Sequence, residues 1–94
     1  MASITVRFYS LWRLYLGADS VSLQADDLEE ALAQVEEEFG SRLRERLEAH
    51  GIQMDGRIQD NSTVLLNGVI LRNVAQRRLR EGDILHIFPP GAGG

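Results

Sequence analysis

The chain has 94 residues, a length that fits one domain with a single hydrophobic core. Apolar residues make up 44% and charged residues 26%, the composition of an ordinary globular protein. The net charge of −4 argues against a nucleic-acid partner, because phosphate binding needs a basic surface, and fits a basic protein partner better. The absence of cysteine excludes disulfides, thiolate metal sites and a cysteine nucleophile.

No signal peptide or membrane span is visible in the sequence. Residues 3–8 alternate between polar and apolar side chains, without the basic start and apolar stretch of a signal peptide. The apolar runs elsewhere extend for only a few residues, whereas a membrane-spanning helix needs about 20. We therefore expect a cytoplasmic protein with no membrane partner.

The first quarter of the chain predicts a β-hairpin. Residues 4–9 alternate, with apolar side chains on one face, as expected of a half-buried strand. Residues 11–16 predict a short helical turn that ends at Gly17. Residues 20–24 alternate again and predict a second strand, antiparallel to the first.

The clearest helix of the chain follows this hairpin. Asp26 or Asp27 can serve as its N-cap, and Glu29, three residues after Asp26, fits a capping box. Apolar residues then recur at helical spacing as far as Gly40, where we expect the helix to end. These residues are Leu28, Ala31, Leu32, Val35 and Phe39.

The segment after this helix has weaker sequence signals for structure and function. A second, shorter helix is expected over Ser41–His50, and residues 52–62 have the composition of a mobile loop. The run Glu36-Glu37-Glu38 predicts a solvated helix face, because three adjacent carboxylates on a helix point in different directions and cannot hold one ion. Residues 41–60 suggest no function.

The last third predicts a return to strands. Residues 63–66 and 69–71 flank Asn67-Gly68, a strong signal for a hairpin turn, and residues 84–88 form the last strand. Strands grouped before and after one main helix indicate an α+β fold, with the helix packed across one face of a mixed sheet.

The last strand has two different faces. If Leu85 and Ile87 face the main helix, then Ile84, His86 and Phe88 lie on the other side of the sheet. We expect a partly exposed apolar patch there, which commonly marks a partner interface; the alternative is that Phe88 belongs to the core. His86 has no Cys or second His near it in sequence, and we expect it to be an interface residue rather than a catalyst or metal ligand.

The most specific pattern lies at the end of the chain, where the last strand leads into prolines and glycines. Its residues are Phe88, Pro89, Pro90, Gly91, Ala92, Gly93 and Gly94. Together with the Gly82-Asp83 turn and the opening run of residues 6–9, this pattern resembles the MoaD/ThiS family of ubiquitin-like sulfur carriers. It is most similar to the MoaD branch, the small subunit of molybdopterin synthase. Residues 41–60 look like an expansion.

The resemblance implies a fold and a chemistry. The fold is a β-grasp domain over residues 1–88, with the first and last strands adjacent and parallel at the sheet centre, plus an extra short helix. Residues 89–94 would form a flexible tail. In this family a partner enzyme of the MoeB/ThiF type adenylates the terminal carboxylate with ATP and magnesium, and sulfur then displaces AMP to leave a thiocarboxylate. By position, that acyl group belongs to Gly94.

The tail is expected to enter a partner's active site. Six residues can extend about 20 Å at roughly 3.3–3.6 Å each. Glycine permits close approach in a narrow channel, and prolines reduce the entropy lost on ordering. Gly91 stands where the family has an aliphatic residue, so the tail lacks one anchoring side chain. The residues expected to bind there, ahead of Gly94, are Pro89, Pro90, Gly91, Ala92 and Gly93.

Several functions remain open at this stage. The leading hypothesis is a sulfur carrier for molybdopterin synthesis, a non-catalytic subunit that binds no cofactor itself and pairs with the adenylating enzyme and the large synthase subunit. A second is a ubiquitin-like modifier joined through Gly94 to lysines of target proteins. Sulfur donation to thiamine or tRNA thiolation is a further alternative, as is a β-grasp binding module with an inert tail.

Overall fold

The computed structural model describes residues 1–71 and 78–90. Five strands form one mixed sheet in the order β2-β1-β5-β3-β4, which is the predicted β-grasp arrangement. A long helix and a short helix accompany the sheet. The elements are β1 (Ala2–Phe8), α1 (Ser10–Leu16), β2 (Ser20–Ala25), α2 (Leu28–Glu48), a short 3-10 helix (Gln59–Asn61), β3 (Thr63–Leu66), β4 (Val69–Ile70) and β5 (Ile84–Phe88).

The first and last strands lie side by side at the centre of the sheet. They pair in parallel, with Val6 opposite Leu85 and Phe8 opposite Ile87. β1 also pairs antiparallel with β2, and β5 pairs antiparallel with β3. The prediction of a parallel central pair is therefore confirmed, and β5 is held by ladders on both of its edges.

One core lies between the sheet and α2. The inward residues of β1 and β5 are almost wholly buried, and the ring of Phe8 meets that of Phe39 edge to face at 5.2 Å. Burial of one such large apolar side chain stabilises the fold by about 1.5–3 kcal/mol. The buried side chains of α2 recur at helical spacing; they are Leu28, Ala31, Leu32, Val35, Phe39, Leu43 and Leu47.

Two predicted turns are present. Gly17 ends α1 in the left-handed region, at a φ of 68°, where glycine avoids the steric cost of a Cβ. Asn67 and Gly68 both have positive φ, 51° and 87°, as expected of the two central residues of a tight hairpin turn. The Asn67 side chain also accepts a hydrogen bond from the backbone N–H of Ile84 at 2.8 Å, which ties this turn to the start of β5.

The prediction that the main helix ends at Gly40 is wrong, and so is the prediction of a separate helix over Ser41–His50. α2 runs for 21 residues without a break, and Gly40 lies buried within it. A glycine inside a helix costs about 1 kcal/mol relative to alanine. Leu43 and Leu47 continue the apolar face one and two turns beyond Phe39, and their burial exceeds that cost.

The glycine also makes room for an ion pair. The carboxylate of Glu36 reaches over Gly40 to the guanidinium of Arg44, two helical turns along, with an Nη1–Oε2 distance of 2.8 Å. A Cβ at position 40 would collide with this pair. The prediction of a solvated acidic face holds for Glu37 and Glu38, which are exposed, but not for Glu36.

Glu36 also fixes the segment that follows α2. Its other carboxylate oxygen accepts a hydrogen bond from the backbone N–H of Ile58 at 2.8 Å. Ile58 and Met54 are buried against the core, and the indole N–H of Trp12 donates to Ser62 Oγ at 2.8 Å. The expectation of a mobile loop over residues 52–62 is therefore wrong, because long-range contacts hold it against the domain.

We predict that Glu36→Ala lowers the free energy of unfolding by about 1–3 kcal/mol, because the N–H of Ile58 and the guanidinium of Arg44 lose their acceptor. The matched control is Glu37→Ala, an exposed neighbour of equal charge, which should change that free energy by less than about 0.5 kcal/mol. Urea denaturation followed by circular dichroism measures both. Equal losses in the two variants would contradict the role given to Glu36.

Candidate functional site

The candidate site lies where β5 ends and the tail begins. Pro89 is buried and Pro90 is exposed, so the described chain leaves the fold between these two residues. The last strand before them is central and paired on both edges, which fixes the point of departure. The remaining residues expected to bind in a partner, Gly91, Ala92 and Gly93, and the expected acyl carrier Gly94 lie outside the described residues.

The two faces of β5 differ as the sequence predicts. Leu85 and Ile87 are fully buried towards α2, whereas Ile84, His86 and Phe88 are half-buried. Because directly paired residues of adjacent strands point to the same side, the sheet pairing identifies their neighbours on that side. We call this surface the open face; it comprises Thr5, Arg7, Thr63, Leu65, Ile70, Ile84, His86 and Phe88.

Tyr9 holds the end of the open face next to the tail. Its ring stacks on that of Phe88, with centroids 4.2 Å apart and planes at 11°. Its hydroxyl forms a hydrogen bond of 2.6 Å with Nδ1 of His86, and its backbone N–H donates to the carbonyl oxygen of Ile87 at 3.2 Å. Tyr9 thus sets the position of the last two open-face side chains before the prolines.

From the sequence, Tyr9 is expected on the polar side of the first strand and belongs to the run of residues 6–9 that resembles the family, but it is not among the predicted site residues. The contact joins residues 77 positions apart in the chain. The available signal was the combination of strand alternation with the parallel pairing of the first and last strands, which brings Tyr9 beside Phe88.

The apolar part of the open face is a shallow depression rather than a deep pocket. It is lined by Thr63, Leu65, Ile70 and Phe88. Ile70 is 58% exposed, and Phe88 is only partly covered, so Phe88 is not simply a core residue. A surface of this shape suits contact with another protein better than enclosure of a small molecule.

An apolar groove lies at the tail root, among α1, the end of α2 and the segment after it. Leu47 and residues 52–54 line this groove together with the two prolines. The region 41–60, for which the sequence suggests no function, thus reaches the point where the tail leaves the fold. The groove has a volume of about 210 Å³ and is lined by Leu11, Trp12, Leu47, Ile52, Gln53, Met54, Pro89 and Pro90.

The described part of the chain was also compared with the requirements of a metal site and of a membrane span. Within residues 1–71 and 78–90, no three His, Asp or Glu side chains come together as metal ligands. Hydrogen bonds from the side chain and the backbone N–H of Arg57 hold the pKa of the Asp60 carboxyl below its usual range, but this exposed pair is not on the open face. No helix in these ranges is long and apolar enough to cross a membrane.

Comparison with known proteins identifies relatives of this fold. The model of the ThiS family matches residues 17–94. A chain from the complex of subunits 1 and 2 of molybdopterin-converting factor from Helicobacter pylori 26695 is 25% identical, with a TM-score of 0.60 over 98% of this chain and 99% of that one. The search of curated proteins gives no match.

Two archaeal proteins are similar in structure. SAMP1 from Haloferax volcanii is 25% identical, with a TM-score of 0.66 over 99% of this chain and 100% of that one. Small archaeal modifier protein 1 from Methanosarcina acetivorans, at 20% identity, shares the fold, with a TM-score of 0.68 over 100% of this chain and 98% of that one. From the family match and the β-grasp fold, we conclude that the chain belongs to the ThiS family and is a ubiquitin-like carrier of the MoaD/ThiS type.

Proposed function

We propose that the protein is a sulfur carrier for molybdopterin synthesis and acts as the small subunit of the synthase. The observation that carries the proposal is the way the chain ends. In this member of the ThiS family, β5 ends at Phe88, Pro89 and Pro90 follow directly, and the sequence finishes with the Gly93-Gly94 pair. The similarity to a chain of the Helicobacter pylori molybdopterin-converting factor complex supports the choice of pathway.

The proposed chemistry takes place on the carboxylate of Gly94. A carboxylate is a poor electrophile, because its leaving group would be oxide. Attack of this carboxylate on the α-phosphorus of ATP releases pyrophosphate and leaves an acyl-adenylate, which has AMP as a good leaving group. A persulfide sulfur then adds to the acyl carbon and expels AMP; reductive cleavage of the S–S bond by a thiol leaves the thiocarboxylate.

The carrier's part in this chemistry is presentation. In this proposal the reaction is carried out by partners, and the adenylating enzyme binds the ATP and magnesium. β5 is fixed by β1 and β3, and Pro89 is buried, so the tail starts from a defined point. The five residues from Pro90 to Gly94 can reach about 17 Å into a partner, at roughly 3.3–3.6 Å each.

The folded domain supplies most of the recognition in this proposal. Beyond Pro90 the tail offers only glycines and the methyl group of Ala92, so a partner grips it mainly by its backbone. Ile84, His86 and Phe88 then form part of the surface that the partner covers. In this arrangement the domain provides most of the binding affinity for the partner, and the tail carries the reacting group.

Formation of the thiocarboxylate is the direct test of the chemistry. Incubation with ATP, magnesium, a persulfide sulfur donor, a thiol and the adenylating enzyme should raise the intact mass by the difference between sulfur and oxygen. A variant lacking Gly94 is the control and should show no such shift. No shift in the intact protein, under conditions in which the enzyme modifies its own known carrier, would overturn the proposal.

Phe88 tests the role of the open face. We predict that Phe88→Ala weakens binding to the large synthase subunit by about tenfold, because aromatic anchors carry much of the energy of an interface. Leu14→Ala is the control, since Leu14 is 69% exposed and lies on α1 away from the open face. Isothermal titration calorimetry gives both affinities, and thermal melts confirm that each variant is folded. Equal affinities for the two variants would show that Phe88 is not part of the interface.

Protein modification is a second candidate function, favoured by the similarity to two proteins named as small archaeal modifiers. All ten basic residues of this chain are arginine, so it could serve as a donor to lysines of other proteins but not form lysine-linked chains of itself. Covalent adducts detected in cell extracts that vanish when Gly94 is deleted would support this function. If no adducts are found while the thiocarboxylate is present, sulfur transfer is the only one of the two functions that is supported.

A further inference from the structure

The charges of this protein are unevenly distributed. The chain has 14 acidic residues, yet none of them lies in the five described strands. α2 alone carries seven, in the sequence LEEALAQVEEEFGSRLRERLE. On the open face, Arg7 of β1 lies directly across from His86 of β5. A protein with a net charge of −4 therefore presents a sheet face on which Arg7 is the only Asp, Glu, Lys or Arg of the described strands.

The acidic residues at the two ends of the sheet have partners other than Arg7. Asp19, which precedes the β2 residue opposite Arg7, pairs with Arg13 at 3.6 Å. At the other end of the sheet, Glu81 accepts a hydrogen bond from the backbone N–H of Ser3 at 2.9 Å. Asp83 at that same end accepts hydrogen bonds from Asn67 and from the N–H of Arg80. Among the described residues, no carboxylate forms an ion pair with Arg7.

The contact with Tyr9 determines which nitrogen of His86 faces a partner. The 2.6 Å distance joins the phenol oxygen to Nδ1, and a phenol O–H donates readily to the bare nitrogen of a neutral imidazole. We assign the phenol as the donor in this hydrogen bond, and with that assignment the ring proton is on Nε2. This N–H has no acceptor among the residues that the structure describes, and His86 is half-exposed.

A partner that covers the apolar part of the open face must also cover these two donors. Burying a donor without an acceptor costs free energy, and the cost is larger for a charged group. A carboxylate satisfies both, because it accepts several hydrogen bonds and forms a charge-assisted pair with a guanidinium. A basic partner surface would instead leave Arg7 facing a like charge.

We propose that the open face docks a protein whose apolar contact surface carries an Asp or Glu carboxylate, which pairs with Arg7 and accepts a hydrogen bond from His86 Nε2. This inference rests on the proposed function, because the same partner takes up the tail, and we assign it to the large synthase subunit. The net charge of the chain predicts a basic partner, whereas the local charge of the docking face requires an acidic group within an apolar surface.

Charge variants of Arg7 test the pairing. Binding of the purified large subunit is measured by calorimetry at low and at high salt. Arg7→Gln should weaken binding about tenfold at low salt and Arg7→Glu more, and the salt dependence should fall in both. Arg80→Glu is the matched control, since this exposed arginine in the turn before β5 undergoes the same change in charge away from the open face. It should bind within about twofold of the wild type.

The partner's carboxylate is identified by rescue. Asp and Glu residues of the large subunit are replaced one at a time by Lys, and one replacement should restore binding to Arg7→Glu while weakening binding to the wild type. No rescue by any of them would overturn the assignment of a carboxylate.

The role of His86 has its own measurement. Nitrogen-15 NMR of the imidazole should show the proton on Nε2 in the wild type and a mixture of tautomers in Tyr9→Phe, which keeps the ring stacked on Phe88 but lacks the hydroxyl. His86→Leu should bind the large subunit less tightly in spite of its added apolar surface. Tighter binding by His86→Leu, or a proton on Nδ1 in the wild type, would overturn this part of the inference.

The outcomes separate this inference from the proposed function. If the wild type binds the large subunit and Arg7→Glu binds as tightly as Arg80→Glu, the carboxylate pairing is wrong and the sulfur-carrier function is unaffected. If the wild type neither binds the large subunit nor gains sulfur on Gly94, the proposed function fails and this inference fails with it.

Discussion

The parallel pairing of β1 and β5 is the constraint on which the structure depends. It inserts the last strand between β1 and β3, so the chain leaves the domain from the centre of the sheet and not from an edge. The same pairing brings Tyr9 beside Phe88 and His86, and Arg7 opposite His86. A parallel pair needs a long crossover connection, and α2 provides it while covering one face of the sheet. No helix within residues 1–71 and 78–90 covers the other face.

The features predictable from the sequence are those that depend on near neighbours. Strand alternation, the Asn67-Gly68 turn and the stop at Gly17 are local patterns, and the structure contains these strands and both of these turns. The predicted helix end at Gly40 is wrong because the free-energy cost of a glycine within the helix is smaller than the gain from burying Leu43 and Leu47. That burial is visible only in the folded core. The contacts of Glu36 with Ile58 and of Tyr9 with His86 join distant positions, so no sequence window contains them. For the same reason, the sequence predicts the ending of the chain and the open-face residues of β5 as the candidate site, but not the contacts of Tyr9 that hold them in place.

The positions of the charged residues in the fold give information about recognition that the net charge does not. A net charge of −4 describes the whole chain, but the acidic residues are on α2 and in the turns, while the strands carry Arg7 and His86. In the proposed function the carrier is recognised by more than one partner, and such segregation would give specificity, because a like charge or an unpaired donor disfavours the wrong surface. The carrier's side-chain-poor tail makes this recognition by the domain necessary.

The central claim is that the acyl group of Gly94 carries sulfur, and its most direct test is the state of the protein in the cell. Arg80 is the last basic residue, so trypsin releases residues 81–94 as one peptide. Tandem mass spectrometry of this peptide, from native protein purified under non-reducing, sulfur-replete conditions, should show a fraction with sulfur in place of one oxygen, localised to Gly94. A peptide that carries only the carboxylate, from cells in which the adenylating enzyme is present and active, would contradict the account.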